Sequence, residues 1–532
     1  MASEPSTQGT KMEIASAIPQ LAVDYAPDAK RVYWMNRMRR KLNDGSEILL
    51  QPEPEVLAVA IAKCSRTDTR FDQNVYETTL AKAASFHEKY VVGFGHGSVA
   101  EHAFSSVALE NISQVAIKVI EDCRLASFTE KSSRYQIFSA ERSYFPSAIR
   151  NSPLAVAYGD LLRDLYAVYF RALDLLVPFM QARHPRKDTQ TEAAYKQIIK
   201  AHSCDVARYL LPSAALAQFG VTMNAREWAY AIVKLLSSPH EEAQELGNDL
   251  IRELHGGPEM DDDTALRERP LRTLLKYTER NEFMATLSET LEGLAAEVLR
   301  DAKPATPAAT PEKRVVMLRD DELAEIRVAS ALLAKNSHAP LADFFQAFEK
   351  GTSRISAADV IARALEKRGA HDRLPREFEH AQFMHEIIID YGAWRDIQRH
   401  RMCTPLNQVL DVSLGYDLPP EMAEIGLERE YREVMGRCAD VHAALCRNGL
   451  ATEAEYAVPM GYRRRIILSW NLRELFHFIE LRSGAKGHPS YRHIAQEVWR
   501  TIDATHPDLA RHFRVDLSSV SCSTLGAKPK GI

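Results

Sequence analysis

Apolar residues recur at helical spacing in two matching places, Ala225, Trp228, Ala229 and Ile232, and then Leu472, Leu475, Phe476 and Ile479. Each set runs i, i+3, i+4, i+7, which predicts an amphipathic helix with a broad apolar face. The same period over residues 112–120 predicts a further helix, and residues 104–109 read as a strand. Residues 57–63 form a compact apolar run that fits either a strand or the start of a buried helix; at that length periodicity leaves both open. Residues 1–11 are small and polar with no period, as expected of a mobile tail, and an aromatic, basic segment over 22–41 follows.

The two helix patterns belong to a longer internal repeat. Pro212 and Pro459 stand 247 positions apart, as do Asn224 and Asn471, and Arg226 and Arg473. Upstream, Glu101 and His102 match Glu379 and His380 at a spacing of 278, and Arg124 matches Arg401 at 277. Between the halves, residues 301–312 are rich in proline, alanine and threonine, the composition of an extended, semi-rigid linker. The expected organisation is a tail over 1–20, a first domain over 21–300, a linker over 301–313, a second domain over 314–515 and a tail over 516–532. The segment 256–269 and the last tail have no assigned role.

Composition bounds the function without fixing it. A chain of 532 residues exceeds one ordinary domain, and 45% hydrophobic with 26% charged residues is typical of a soluble globular protein. A net charge of -5 argues against a nucleic-acid partner, leaving local phosphate sites open. No apolar run reaches the roughly 20 residues needed to span a bilayer, and the N-terminus lacks a basic stretch followed by a hydrophobic core, so a cytoplasmic protein without a membrane partner is expected. The seven cysteines are odd in number, scattered and without a CxxC pair, so no disulfide framework and no metal site is expected; most read as small buried hydrophobes.

Three stretches carry candidate chemistry. Arg399, His400 and Arg401 follow an apolar run, and two guanidiniums flanking an imidazole suit a phosphate, hence a nucleotide or dinucleotide cofactor. The plainer reading is a basic turn offsetting a helix C-terminal dipole. Gly93, Gly95 and Gly97 surround His96 and precede Ser98, Glu101 and His102, parts for a loop against a flat ligand or for an ordinary turn. Glu130, Ser132 and Arg134 place carboxylate, hydroxyl and guanidinium in one short loop, a set that binds phosphate and orients a sugar or base, or simply ends a helix. Asn224 and Asn471 stand where helices begin, so an N-cap role is compatible with ligand binding there.

The run from Gly95 through His96, Ser98, Glu101 and His102, followed by Arg124, Ser127, Glu130, Ser132, Arg134 and Tyr135, resembles the flavin-dependent thymidylate synthases, the ThyX family. It departs from them at Asp122, Cys123 and Arg124, where the family's Arg-His-Arg signature falls; that signature stands intact at Arg399, His400 and Arg401. The second half has Val409 and Asp411 in the places of Ser132 and Arg134, Glu455 in that of Arg208, while Leu235 of the first half stands in the place of Arg482. Each half lacks what the other keeps.

The resemblance implies an α/β (α+β) fold of two related domains, each a sheet flanked by long helices, arranged as a pseudo-dimer, with two chains forming a pseudo-tetramer. It implies FAD as cofactor, bound through Arg399, His400, Arg401, His96, Ser98, Asn224, Arg226, Asn471 and Arg473. It implies dUMP as substrate, bound through Glu130, Ser132, Arg134, Arg208 and Gln398, with Arg482 as catalytic residue stabilising charge that develops on the uracil. Methylenetetrahydrofolate and NADPH would be the co-substrates. A flavin enzyme acting on another nucleotide or carbon donor, or a non-catalytic homologue, would share these residues.

Overall fold

The computed structural model describes residues 38–41, 44–67, 69–255, 269–302 and 313–518. The expected tail over 1–20, the segment 256–268, linker residues 303–312 and everything after 518 lie outside the described residues. The fold is mixed α and β, and the chain divides into two compact units: residues 1–105, 224–226 and 254–276 in one, and 106–223, 227–253 and 277–532 in the other.

The first unit contains the antiparallel pair β1 (Met38–Lys41) and β2 (Glu47–Leu50). Its apolar run, open between strand and helix in sequence, is a helix, Pro54–Lys63, with proline at its start, where no backbone N–H is needed. Val56, Val59 and Ala83 form a small core against Leu80 and Phe86. Buried Glu55 accepts from the backbone N–H groups of Thr273 and Leu274 at 2.7 and 3.0 Å.

The second unit holds two sheets of one plan. Strands β3 (Phe104–Ser113), β4 (Ala126–Glu130) and β5 (Leu216–Asn224) are ordered β3-β5-β4. Strands β6 (Val315–Arg319), β7 (Gln382–Asp390), β8 (Cys403–Asn407) and β9 (Arg463–Asn471) are ordered β6-β7-β9-β8. Ala126 pairs with Met223 and Glu130 with Phe219; Cys403 pairs with Trp470 and Asn407 with Ile466. The same spacings of 277 and 247 carry each pair of the first sheet onto one of the second. Caps repeat likewise. Ser113 Oγ accepts from Ala116 N at 3.1 Å to start α1 (Gln114–Glu121), and Asp390 Oδ1 accepts from Ala393 N at 2.8 Å to start the helix Tyr391–Ile397. The helix expected over 112–120 therefore begins two residues later, because Ile112 and Ser113 complete β3. The expected helices after Asn224 and Asn471 are found at Ala225–Leu236 and Leu472–Arg482.

The halves of the sequence meet through the backbone. Pro212 lies opposite Pro459, Ser213 N donates to Val458 O at 3.0 Å, and Met460 N donates to Leu211 O at 2.9 Å. This is the widely spaced pair of an antiparallel ladder, whose central residues need no N–H and so accept proline on both sides. Next along, Gly461 N donates to Tyr209 O at 2.8 Å. A Cβ at Gly461 would lie 2.8 Å from Tyr431 Oη and 3.0 Å from Tyr209 O, and Tyr431 Oη is itself held by Asp417 O at 2.7 Å.

Four of the described cysteines are buried, as expected, whereas Cys64 and Cys446 are exposed. Among the described residues no helix is long and apolar enough to cross a membrane.

Because neither neighbour of Gly461 is a flexible side-chain end, Gly461→Ala should overpack the crossing and lower stability by about 1–3 kcal/mol. Thermal or denaturant unfolding measures this. Gly436→Ala, with nothing within 4 Å of the added carbon, is the matched control and should not destabilise.

Candidate functional site

The helix Tyr391–Ile397 ends directly before Gln398, Arg399, His400 and Arg401, so the basic triplet sits on the turn that leads into β8. Its three side chains line a cavity of about 810 Å³ together with Asn471, Arg473 and Glu474. Asn471 Oδ1 caps its helix by accepting from Glu474 N at 2.9 Å, as its sequence position suggested.

Carboxylates of the first half hold the cations of the second. Arg399 donates from Nε to Glu121 Oε1 at 3.2 Å and from Nη2 to Glu130 Oε2 at 2.8 Å, and Arg395 binds the other Glu130 oxygen. Burial works against the Glu130 charge, but Arg395, Lys118 and Arg399 together hold its carboxyl below the ordinary range. Both Glu130 oxygens are thus committed to arginines, and the structure places this expected substrate ligand in a clamp between the halves. Arg401 donates to the carbonyls of Arg124, at 3.1 Å, and Ala126; in return Arg124 donates to Cys403 O at 3.1 Å and Thr404 Oγ1 at 3.0 Å.

His400 is the middle of a second network. Its Nδ1 lies 2.7 Å from Glu474 Oε1, and its Nε2 accepts from Arg482 Nε at 2.9 Å. Since arginine only donates, the imidazole carries its proton on Nδ1 and gives it to the carboxylate. Burial lowers the His400 pKa; the Glu474 hydrogen bond opposes this and the Arg482 charge adds to it, leaving the ring neutral at pH 7. The ligand-type atoms of His400, Glu474 and His477 lie within 4.8 Å of one another. Both His400 nitrogens are already occupied, so a hydrogen-bond network accounts for the group.

Arg482 connects this network to the loop residues of the first half. Its Nη2 donates to Asp396 O at 2.5 Å, and its guanidinium lies 5.3 Å from the Tyr491 ring centre. Arg134 donates to Tyr491 Oη at 3.2 Å and grips Asp205 through two bonds of 2.7 and 2.9 Å. Arg208 is 2% exposed and lies 3.6 Å from Asp396 Oδ2, while its Nε and Nη2 have no hydrogen-bond partner among the described residues. Burial raises the Asp396 carboxyl pKa, but Arg208, Arg134, Arg482 and Arg395 override it and hold the group ionised. Burial also drives His488 well below the ordinary histidine range, and Arg208 and Arg134 push the same way. Ser132 Oγ takes the backbone N–H of Arg134 at 3.3 Å. The structure therefore brings Arg134, Arg208 and Arg482 together around Asp396, with Ser132 on the Arg134 loop.

Other expected residues fall elsewhere. His96, Ser98, Asn224 and Arg226 belong to the first unit, where Arg226 Nη1 binds Glu101 Oε1 at 2.5 Å. The matching pair in the second unit is Arg473 Nη1 with Glu379 Oε1 at 2.8 Å. Gln398 lines a separate, smaller cavity. Sequence reasoning missed Glu121, Asp205, Asp396, Glu474 and Tyr491. Glu474 adjoins Arg473 in the repeated motif and Asp396 lies three residues before Arg399, so proximity offered a signal for both; nothing local marked Asp205 or Tyr491.

These features define a mixed α/β protein with a large basic cavity and an arginine cluster assembled from both halves of one chain. The profile of the family described as thymidylate synthase complementing protein matches residues 48–256 and 321–508, and the chain belongs to that family. A UPF0159 protein of Chlamydia pneumoniae is 30% identical over 460 residues, covering 85% of this chain and 84% of that one. Another, from Thermoplasma acidophilum, is 27% identical over 479 residues, covering 82% and 89%. The flavin-dependent thymidylate synthase of Geobacter sulfurreducens is 26% identical over 177 residues, 33% of this chain and 66% of that enzyme. The relationship to thymidylate synthases thus holds at family level, while full-length similarity is to the UPF0159 proteins.

The neutral His400 gives a direct measurement. Long-range nitrogen–proton NMR should show the Nδ1–H tautomer at pH 7 and protonation only below the ordinary value of 6.5. Arg482→Ala removes a nearby positive charge, so the same signals should then titrate at higher pH; an unchanged titration would contradict the network.

Proposed function

We propose that the protein is an FAD-dependent thymidylate synthase that reductively methylates dUMP to dTMP, with methylenetetrahydrofolate as carbon donor and NADPH as reductant. The observation that carries this reading is Arg208, a buried cation near Arg134 and Arg482 with two nitrogens that lack a partner among the described residues. An unfilled charged donor in a low-dielectric site is costly, and a phosphate oxygen would satisfy it. Arg208 is therefore assigned to the nucleotide phosphate. Arg134, already neutralised by Asp205, adds positive field and holds the Ser132 loop in place.

The larger cavity fits the cofactor in size and donor set, since about 810 Å³ lies within the usual range for ligand pockets and Arg399, Arg401 and Arg473 all line it. When bound, the flavin supplies hydride transfer. Arg399 and Arg401 bind its phosphates, Asn471 and Arg473 border it, and neutral His400 fixes the Arg482 guanidinium through Nε2. Arg482 then meets negative charge developing on the uracil. By the resemblance, His96, Ser98, Asn224 and Arg226 of the first unit are also cofactor-binding residues in this reading. The repeated sheet order, register and caps support descent of the two halves from one duplicated domain, arranged as a pseudo-dimer with boundaries near residues 301–313. Two chains would then form a pseudo-tetramer in the cytoplasm.

Purified protein should carry a flavin spectrum, and the gene should rescue a thymidine-requiring strain; neither a flavin nor rescue would refute the proposal. Arg399→Ala or Arg401→Ala should weaken flavin binding by roughly tenfold to more than a hundredfold, as expected for losing a charge-assisted hydrogen bond. For the nucleotide, Arg208→Ala should raise the dissociation constant more than Arg134→Ala does, because two buried Arg208 nitrogens have no partner among the described residues whereas Arg134 is held by Asp205. Arg482→Ala should chiefly lower turnover. Equilibrium dUMP binding and single-turnover assays separate these effects, and survival of both affinity and turnover in Arg208→Ala and Arg482→Ala would sink the composite site.

A further inference from the structure

A second cavity, of about 340 Å³, lies in the same compact unit and is lined by Gln398, Asn407, His240, Glu455 and Arg464. It is the counterpart of the arginine cluster. The spacings that superpose the two sheets carry Glu121 onto Gln398, Glu130 onto Asn407 and Arg208 onto Glu455, while Asp122 takes the place of Arg399.

In the arginine cluster, Glu121 Oε1 and both Glu130 oxygens are filled by guanidinium N–H groups of Arg399 and Arg395. At the counterpart positions the acceptors are the amide oxygens Gln398 Oε1 and Asn407 Oδ1, and neither has a hydrogen-bond partner among the described residues. The cause is visible in the neighbours. Asp122, standing where an arginine would reach across, is bound to Lys234, and Lys118, the counterpart of Arg395, is bound to Glu121. Gln398 Nε2 donates to Lys118 O at 3.3 Å, which fixes Oε1 as the unfilled end of that amide. His240 Nδ1 is unpartnered too, and Gln398 and His240 are only 6% and 8% exposed. Buried polar atoms are nearly always paired, so three such atoms on residues that line one cavity call for a ligand or ordered water.

Charge distinguishes the two. Where the arginine cluster has Arg134 and Arg208, this cavity has Asp411 nearby and Glu455 on its wall. Glu455 Oε2 lies 3.8 Å from His240 Nε2, beyond hydrogen-bond range. Burial pushes the Glu455 carboxyl up to about 7, with Arg464 pulling it down and Asp411 pushing it further up, the behaviour of a carboxylate short of a close cation. Lys118 and Lys234 are committed elsewhere, and Arg464 gives its Nε to Gln408 O at 2.8 Å. Water would fill the hydrogen bonds, whereas a cation beside Glu455 would also favour its charged form.

We infer that the smaller cavity binds a small molecule carrying a positively charged, N–H-rich group, a guanidinium or a primary ammonium, in the place that arginine side chains fill in the counterpart cluster. Its N–H groups reach Gln398 Oε1 and Asn407 Oδ1, and its charge faces Glu455. The outer nitrogens of Arg464 suit a ligand whose far end is a carboxylate.

Isothermal titration calorimetry of the full chain with arginine and with agmatine tests this directly and needs neither flavin nor turnover. At least one of the two should bind saturably, and Glu455→Gln and Asn407→Leu should each weaken it by roughly tenfold or more. Arg208→Ala, which lies in the other cluster, should leave it unchanged while weakening dUMP. Should the cavity variants not fold, crystals of the parent protein soaked in agmatine replace them, with density in this cavity expected. No saturable binding of either cation, binding indifferent to both cavity variants, or agmatine density only outside the cavity overturns the inference.

Discussion

Everything in the second unit depends on how the chain crosses itself at Pro212 and Pro459. Two backbone bonds, each the other's image under a spacing of 247, tie the loops together, and the short turns just before them carry Arg208 on one side and Glu455 on the other. The crossing thereby sets one arginine and one glutamate at equivalent places, Arg208 in the arginine cluster and Glu455 on the wall of the smaller cavity. A side chain at Gly461 would force these loops apart, and with them the turns that carry Arg208 and Glu455.

Around the crossing, charge rather than apolar packing decides which hollow is which. Glu121 and Glu130 of the first half face Arg399 and Arg395 of the second, and burial that would neutralise Glu130 is overridden by the cations around it. Such pairs add little net stability after their desolvation, but removal of one partner is severe. Their effect is to fix how the halves register. Arg124 and Arg401 do the same with backbone carbonyls, each reaching across to the strand that follows the other.

Much of this was legible in the sequence, for a physical reason in each case. Period and capping residues located the helices after Asn224 and Asn471, since an amphipathic face and an N-cap are local properties. The run at 57–63 was ambiguous because a short apolar stretch fits two structures, and it took Pro54 and packing against Ala83 to make it a helix. One site for Arg134, Arg208 and Arg482 was implied by the family resemblance, the matched spacings showing only that each half lacks what the other keeps. Asp205 and Tyr491 were invisible, because a partner for a buried guanidinium is chosen by tertiary geometry and leaves no local trace. Gln398 adjoins Arg399 in sequence yet faces a different cavity, since successive residues at a helix end point in different directions.

In a symmetric pair of identical chains, any substitution is written twice, and a residue good for one hollow is imposed on its twin. Here the two places are encoded separately, at 208 and 455, at 399 and 122. One hollow can then be refined for a ligand without compromise from the other, which is free to drift, to close or to be recruited for a different molecule. Covalent linkage of the halves converts a constraint of symmetry into a degree of freedom.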